Sequence, residues 1–215
     1  MKIFFDFDDC LFDTKAFLNG LQDIFEVSGV PQELFRESYG EIRNGFLVSG
    51  LCYSIEAHIE KLRPRSSFDK NVLYKNMETY LTDTSKFLFP DVKNFFALMK
   101  KSGYQMFILS FGNERFQSAK IAGTGITLYI EKSIITDTDK AAALQKEIDA
   151  DDKNIWFFDD RVYFIENVKQ AFPNVGTVCV RRKQGRYDEE PNKLCDFVVK
   201  DLNEAKNIVS ENTTF

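Results

Sequence analysis

Acidic residues follow two apolar runs of the sequence and could together bind a cation. Asp6, Asp8 and Asp9 come after the run "KIFF", and Asp159 and Asp160 come after "IWFF". Carboxylates this close together repel, and burying them at a strand end is costly unless a positive charge compensates. Mg²⁺ is a hard cation that prefers carboxylate, carbonyl and water oxygens. The two clusters therefore predict a shared Mg²⁺ site, provided that the fold brings them together.

Two further polar positions could bind the oxygens of a transferring group. Ser110 ends the apolar run "QMFIL" and is followed by Phe111 and Gly112, and Lys140 follows a loop. A serine hydroxyl, the backbone N–H groups of this turn and a lysine ammonium are suited to bind phosphate oxygens. A carboxylate facing a metal-bound phosphate could act as the nucleophile. A second carboxylate two residues further on could protonate the leaving oxygen and then activate water.

The pattern of helices and strands predicts how these residues are positioned. A strand at 3–7 and a helix at 14–27 are followed only by helical patterns until about residue 86. Beyond that point strands alternate with helices, which indicates a parallel sheet wrapped by helices. Predicted strands lie at 104–110, 128–135, 154–160, 175–182 and 195–199. The sequence thus predicts an α/β fold, a Rossmann-like parallel sheet with helices on both faces, and an inserted all-helical cap.

The predicted domain boundaries follow from the same pattern. Residues 1–14 and 88–215 would form the α/β core, and residues 15–87 would form the helical cap. In open parallel sheets, ligands bind outside the carboxyl ends of the strands. The acid clusters, Ser110 and Lys140 would then meet at one edge of the sheet.

Taken together, the motifs resemble those of the haloacid dehalogenase-like (HAD) superfamily. Its first motif, Asp-x-Asp-x-Thr/Val, corresponds to Asp6-Phe7-Asp8-Asp9-Cys10. An apolar strand ending in Ser or Thr corresponds to "QMFILS", and a lysine near a helix start corresponds best to Lys140, with Lys132 as the weaker candidate. The fourth motif, an apolar strand ending in acids, corresponds to "WFFDD". The inserted helices resemble the C1-type cap of this family.

The resemblance implies a role for each matched residue. Asp6 would be the nucleophile and Asp8 the general acid/base. Mg²⁺ would be held by Asp6, the backbone carbonyl of Asp8 and one of Asp159 and Asp160, with the choice between these two left open. The phosphate-binding residues would be those of the second and third motifs: Ser110, Phe111, Gly112 and Lys140. Dehalogenase members of the family lack an acid at the position of Asp8 and need no Mg²⁺, so its presence favours phosphoryl transfer.

Cys10 departs from this motif, which usually has Thr or Val at that position. Cysteine is close to valine in size and packs as a small hydrophobe. A buried thiol beside carboxylates should have a raised pKa and be unreactive. We therefore expect Cys10 to be a packing residue, although the loss of a threonine hydroxyl could weaken the motif's geometry.

The predicted function is that of a cytoplasmic, Mg²⁺-dependent phosphatase. Its substrate would be a small phosphorylated metabolite of the nucleotide or sugar phosphate class, and the reaction would pass through an aspartyl-phosphate. Two alternatives remain open at this point: a HAD-like phosphotransferase or mutase, and an inactive binding or regulatory module that keeps the fold. The sequence does not indicate the oligomeric state.

Composition narrows the possible partners. The 215 residues carry a formal net charge of −5 without a long run of one sign, which argues against nucleic-acid binding. No apolar run is long enough for a membrane span, and four cysteines without metal-like spacing suggest free thiols. The one histidine, His58, is expected on a helix surface or in packing. The segment Arg181–Arg186 could face phosphate, but a solvated loop is the preferred interpretation.

Overall fold

A parallel β-sheet forms the centre of the molecule. The computed structural model describes residues 1–49, 52–149 and 151–211, and these residues contain six strands and nine α-helices. The strands are β1 Lys2–Phe5, β2 Gln105–Phe111, β3 Lys132–Thr136, β4 Ile155–Asp159, β5 Gly176–Val180 and β6 Phe197–Val199. They are ordered β3-β2-β1-β4-β5-β6, and every neighbouring pair is parallel. The predicted parallel α/β sheet is confirmed.

Helices cover both faces of this sheet. They are α1 Thr14–Val27, α2 Gln32–Ser49, α3 Ile55–Leu62, α4 Lys70–Thr82, α5 Val92–Lys101, α6 Glu114–Gly123, α7 Lys140–Gln145, α8 Val162–Ala171 and α9 Leu202–Glu211. Buried residues of α5 and α9 belong to one hydrophobic cluster, and those of α7 and α8 belong to a second. The sheet therefore lies between two helical layers, as the α/β pattern predicted.

The two phenylalanines of β1 pack on opposite faces of the sheet. Successive side chains of a strand point to opposite faces. Phe4 stacks on Phe107 with ring centroids 4.7 Å apart, in the cluster of α7 and α8. Phe5 instead contacts Phe95 and Phe96 of α5, at centroid distances of 5.9 and 4.8 Å. This central strand is buried on both faces, so it reads as a continuous apolar run.

Helices α1 to α4 lie between β1 and β2, and residues 15–87 are called the helical insertion below. Its described residues contain no strand. Tyr80 of α4 donates a hydrogen bond to the carbonyl of Phe17 in α1 at 2.7 Å. A Cβ on Gly20 would lie 2.3 Å from the Tyr80 hydroxyl, so α1 needs glycine there. The division of the chain into a core and a separate cap domain stays a prediction.

Several strand boundaries differ from the sequence prediction by two residues or more; the last two strands, for example, are Gly176–Val180 and Phe197–Val199 rather than 175–182 and 195–199. The strand expected over 128–135 begins only at Lys132, because residues 126–128 form a short 3-10 turn. Gly125, at φ 70°, starts this turn. A short apolar run does not by itself distinguish a strand from a turn that packs on the core. The first strand ends at Phe5 rather than Phe7. No helix in the described part of the chain is long and apolar enough to span a bilayer.

His58 is a packing residue inside the helical insertion. Its side chain is fully buried against the rings of Phe25 and Phe35, with centroids 4.7 and 5.0 Å away. Its Nε2 lies 2.7 Å from the Ser38 hydroxyl, and its Nδ1 lies 3.1 Å from the Tyr53 hydroxyl. Burial lowers the pKa of His58 from 6.5 to about 4.

This shift predicts that acid destabilises the protein through His58. Between about pH 6.5 and pH 4 the unfolded histidine binds a proton and the folded one does not, so stability falls as pH falls through this window. The full shift corresponds to about 3 kcal/mol of unfolding free energy. Urea unfolding from pH 7 to pH 4 should show a steeper loss for wild type than for His58→Gln. Parallel curves would show that His58 does not contribute.

Candidate active site

The carboxylates of Asp6, Asp159 and Asp160 lie together at the carboxyl ends of β1 and β4. These strands are parallel neighbours, and the backbone N–H of Asp6 donates to the carbonyl of Phe158 at 2.7 Å. One carboxylate oxygen from each acid lies within 4.8 Å of the other two. All three residues are buried. The structure thus brings Asp6 of the first acid cluster together with both acids of the second.

Lys140 lies between two of these carboxylates. It is the first residue of α7, and its Nζ is 2.5 Å from Oδ1 of Asp6 and 2.7 Å from Oδ2 of Asp159. Lys132, the other candidate from the sequence, is exposed and pairs with Glu147 at 2.6 Å. Of the two lysines, Lys140 is therefore the one in the site.

The charge of this acid cluster is not balanced by Lys140 alone. Burial raises the pKa of Asp6 to about 7, although Lys140 opposes the shift. Burial also raises the pKa of Asp159, and burial with the negative charges of Asp6 and Asp159 raises that of Asp160 well above its usual range. Three buried carboxylates facing one ammonium form a site that favours an additional cation. Their oxygens are the donor set that Mg²⁺ prefers, so the residues present fit this ion.

Asp8 lies apart from these carboxylates, in a separate set of hydrogen bonds. Its carboxylate accepts from the Thr14 hydroxyl at 2.8 Å, from the Gln117 amide at 2.7 Å, and from Lys120 Nζ at 2.6 and 2.9 Å. Burial would raise its pKa, but Lys120, Arg186 and these hydrogen bonds outweigh burial and lower the pKa of Asp8 to about 2. The Asp8 carboxylate is therefore ionised at neutral pH.

Gln117 and Lys120 were missed by sequence reasoning. Both lie on α6, the helix that follows Ser110, and they are three residues apart on one face of it. Seven and ten residues separate them from Ser110. A lysine in a helical pattern is usually exposed, so only its place after the Ser110 strand could have drawn attention to it.

β2 ends at Ser110 and Phe111, next to the hydrogen bonds of Asp8, and Gly112 follows the strand. The buried Ser110 hydroxyl accepts a hydrogen bond from Gln117 at 2.8 Å, and the Phe111 carbonyl accepts one at 3.2 Å. The sequence predicts that the Gly112 N–H faces a phosphate. In the structure this N–H instead donates to the Thr136 carbonyl at 2.9 Å. A Cβ on Gly112 would lie 2.9 Å from the Gln117 side chain, so this close approach requires glycine.

Cys10 and Asp9 form the turn after the nucleophile candidate. Cys10 is buried, and burial with the charge of Asp6 raises its thiol pKa well above the usual value. It is a packing residue, as expected. Asp9 has φ 60°, a conformation that Asp tolerates better than most residues. Its carboxylate accepts a hydrogen bond from Arg186 at 2.6 Å.

The segment Arg181–Arg186 is less solvated than the sequence suggested. The Arg182 side chain is 5% exposed and donates to Asp91 at 2.8 Å and to the Cys10 carbonyl at 3.0 Å. With Asp160 and neighbouring residues, the segment lines a cavity of about 230 Å³. The loop therefore packs beside the acid cluster, and the expectation of a solvated loop is wrong for Arg182 and Arg186.

Comparison with known proteins assigns the chain to a family. The model of the family "haloacid dehalogenase-like hydrolase" matches residues 3–163. No curated protein matches the chain.

Several solved structures share the fold. A provisionally assigned haloacid dehalogenase-like hydrolase from Burkholderia xenovorans is 21% identical, with a TM-score of 0.74 over 95% of this chain and 96% of that one. The provisionally assigned HAD hydrolase YfnB from Bacillus subtilis, bound to magnesium, is 12% identical, with a TM-score of 0.68 over 97% and 98%. L-2-haloacid dehalogenase from Xanthobacter autotrophicus is 18% identical, with a TM-score of 0.63 over 97% and 98%. At these identities the likeness shows the fold alone.

Proposed function

Because the chain belongs to the haloacid dehalogenase-like hydrolase family, we propose that it is a Mg²⁺-dependent phosphatase acting on a small phosphomonoester. The observation that carries this proposal is the buried cluster of Asp6, Asp159 and Asp160 around a single lysine. A further cation such as Mg²⁺ would stabilise the ionised form of these three carboxylates. The carboxylate of Asp8, two residues after Asp6 in the sequence, would supply the proton-transfer group that phosphoryl transfer needs.

Mg²⁺ would be held by Asp6, Asp159, Asp160 and the backbone carbonyl of Asp8. The presence of magnesium in YfnB supports this choice of ion. When bound, the ion would neutralise the carboxylates and polarise the phosphate oxygens. A dehalogenase would need neither the ion nor a carboxylate at the position of Asp8, and both features distinguish the proposed activity from that of the dehalogenase neighbours.

The chain's own residues would carry out two displacements. In the first, a carboxylate oxygen of Asp6 attacks phosphorus, the ester P–O bond breaks, and the alcohol leaves with a proton. In the second, water attacks the aspartyl-phosphate and releases inorganic phosphate, which regenerates Asp6. Lys140 contacts Asp6 and would hold its carboxylate in place. Ser110 would donate its hydroxyl proton to a phosphate oxygen.

Asp8 fits the second displacement directly. As an ionised carboxylate it can accept the proton of the attacking water. In the first displacement Asp8 would relay a proton from bulk water to the leaving alcohol as the P–O bond breaks. In the second it would accept a proton from the attacking water and return it to bulk water, so that protons balance over one complete cycle.

Binding of Mg²⁺ gives a test of the metal site that is independent of turnover. Mg²⁺ at about 100 times its Kd should raise the Tm by roughly 5–10 °C, since it binds only the folded site. Asp160→Asn should lose most of this shift, because it removes one of the three clustered carboxylates. Asp23→Asn is the matched control, as Asp23 is an exposed residue of α1.

The same samples should be assayed for release of inorganic phosphate from small phosphomonoesters. We expect release that requires Mg²⁺ in wild type and in Asp23→Asn, and that is lost in Asp160→Asn. A Tm shift of equal size in wild type and Asp160→Asn would contradict the metal assignment.

A further inference from the structure

We propose that Gln117 and Lys120 are positioning residues that hold the Asp8 carboxylate and the Ser110 hydroxyl in the arrangement needed for reaction. Both side chains come from one face of α6. Neither is among the residues that the motifs single out. The inference deepens the proposed function, and its kinetic part rests on it.

Lys120 is a buried cation whose only charged hydrogen-bond partner in the described residues is Asp8. It is 3% exposed, and its Nζ contacts both oxygens of Asp8, at 2.6 and 2.9 Å. Burying an ammonium is costly, and an apolar side chain of similar length would avoid that cost. Fold stability alone therefore does not account for a lysine here, whereas fixing a carboxylate does.

Four aromatic rings fix the position of this ammonium. Its Nζ lies 5.3–5.5 Å from the ring centroids of Phe7, Phe12, Phe17 and Phe116. These rings come from the turn after β1, from α1 and from α6, so three parts of the fold determine where the charge lies. An ammonium within about 6 Å of a ring face is attracted to it. Asp8 therefore meets a cation that is held in place from several sides.

Gln117 connects Asp8 to Ser110. Its Nε2 donates to Oδ2 of Asp8 at 2.7 Å and to Oγ of Ser110 at 2.8 Å. A serine hydroxyl has one proton to donate and two lone pairs to accept. Because Ser110 accepts from Gln117, its own proton stays free for an oxygen of the ligand. One amide thus sets the orientation of both groups.

This arrangement predicts a defect in kcat rather than in KM. Lys120 contacts Asp8, whose proposed role is proton transfer. It is not among the residues proposed to bind the phosphate group of the substrate. Lys120→Met should lower kcat by roughly 10²-fold and change KM by less than about 3-fold, since proton transfer by a positioned group contributes at least that factor. Lys101→Met, which alters an exposed lysine of α5, is the matched control.

Non-additivity separates positioning from a merely structural role. If Lys120 acts through Asp8, the double variant Asp8→Asn/Lys120→Met should be no slower than Asp8→Asn alone, within about 3-fold. The proposal would be overturned if the fold losses of kcat in the two single variants multiply in the double variant. An unchanged kcat in Lys120→Met would also overturn it. Gln117→Met removes only hydrogen bonds and provides a second variant if Lys120→Met folds poorly. We expect its kcat to fall by about 10-fold, because Asp8 would lose its contact with Gln117 but keep those with Thr14 and Lys120.

Urea unfolding of wild type, Lys120→Met, Asp8→Asn and the double variant keeps the two claims distinguishable. Lys120→Met leaves the Asp8 charge without its cation and should destabilise the fold, and adding Asp8→Asn should restore part of the loss. If wild type releases no phosphate from any substrate, the proposed function fails while this cycle still measures the coupling. Coupling between the two sites would support the holding role, and its absence would overturn it.

Discussion

Replacing Asp6 by Asn is expected to lower turnover by about 10⁴-fold or more, as other enzymes show on loss of a nucleophile. The amide of Asn cannot form the aspartyl-phosphate. Its carbonyl oxygen can still accept a hydrogen bond from Lys140, and one negative charge is removed from a crowded cluster. We therefore expect the fold to be retained. Initial rates of phosphate release, measured beside circular dichroism and the Tm, check both parts.

A matched control for this variant lies in the same stretch of sequence. Asp13 caps α1 by accepting a hydrogen bond from the N–H of Ala16 at 2.9 Å. Asn caps helices as well as Asp does, so Asp13→Asn should keep both stability and activity. Turnover in Asp6→Asn that matches Asp13→Asn would contradict the nucleophile assignment.

Replacing Lys140 by Met is expected to affect stability and turnover together. Lys140 is 1% exposed and contacts the carboxylates of Asp6 and Asp159, which would lose their only cationic hydrogen-bond partner in the described residues. Removing one partner of a buried ion pair costs about 3–5 kcal/mol of unfolding free energy. Turnover should fall by roughly 10³-fold, because the variant would disturb the proposed nucleophile and remove a charge proposed to bind phosphate oxygens. Urea unfolding and initial rates measure the two effects.

Lys132→Met provides the comparison for this variant. Lys132 is 55% exposed, and exposed ion pairs such as Lys132–Glu147 contribute only about 0–1 kcal/mol. We expect near wild-type stability and turnover. If Lys132→Met were the inactive variant and Lys140→Met the active one, the assignment of the lysine would be reversed.

The acid cluster could be predicted from the sequence because the prediction requires only two strand ends and a parallel sheet. Asp6 and Asp159 each follow an apolar run, and parallel strands present their carboxyl ends at the same edge of a sheet. Ser110 follows from the same argument. The choice between Lys140 and Lys132 could not be made in this way, since it depends on where β3 begins. Lys132 starts that strand, at the end opposite the site.

Side chains that cross between distant elements lay beyond sequence reasoning. Lys120 is 112 residues from Asp8, and Arg186 is 177 residues from Asp9. No periodicity shows that these pairs meet, and a buried lysine contradicts the usual expectation for that residue. The sequence also could not show that the Gly112 N–H donates to the carbonyl of Thr136 in the neighbouring strand. Such contacts depend on how the elements pack together.

The most direct measurement compares the release of inorganic phosphate from small phosphomonoesters with the release of chloride from 2-chloropropionate by wild-type protein. Each substrate would be assayed with Mg²⁺ and with EDTA. We predict phosphate release that requires Mg²⁺, and no chloride release under either condition. Chloride release that persists in EDTA, without phosphate release in Mg²⁺, would contradict the assignment of this chain as a phosphatase.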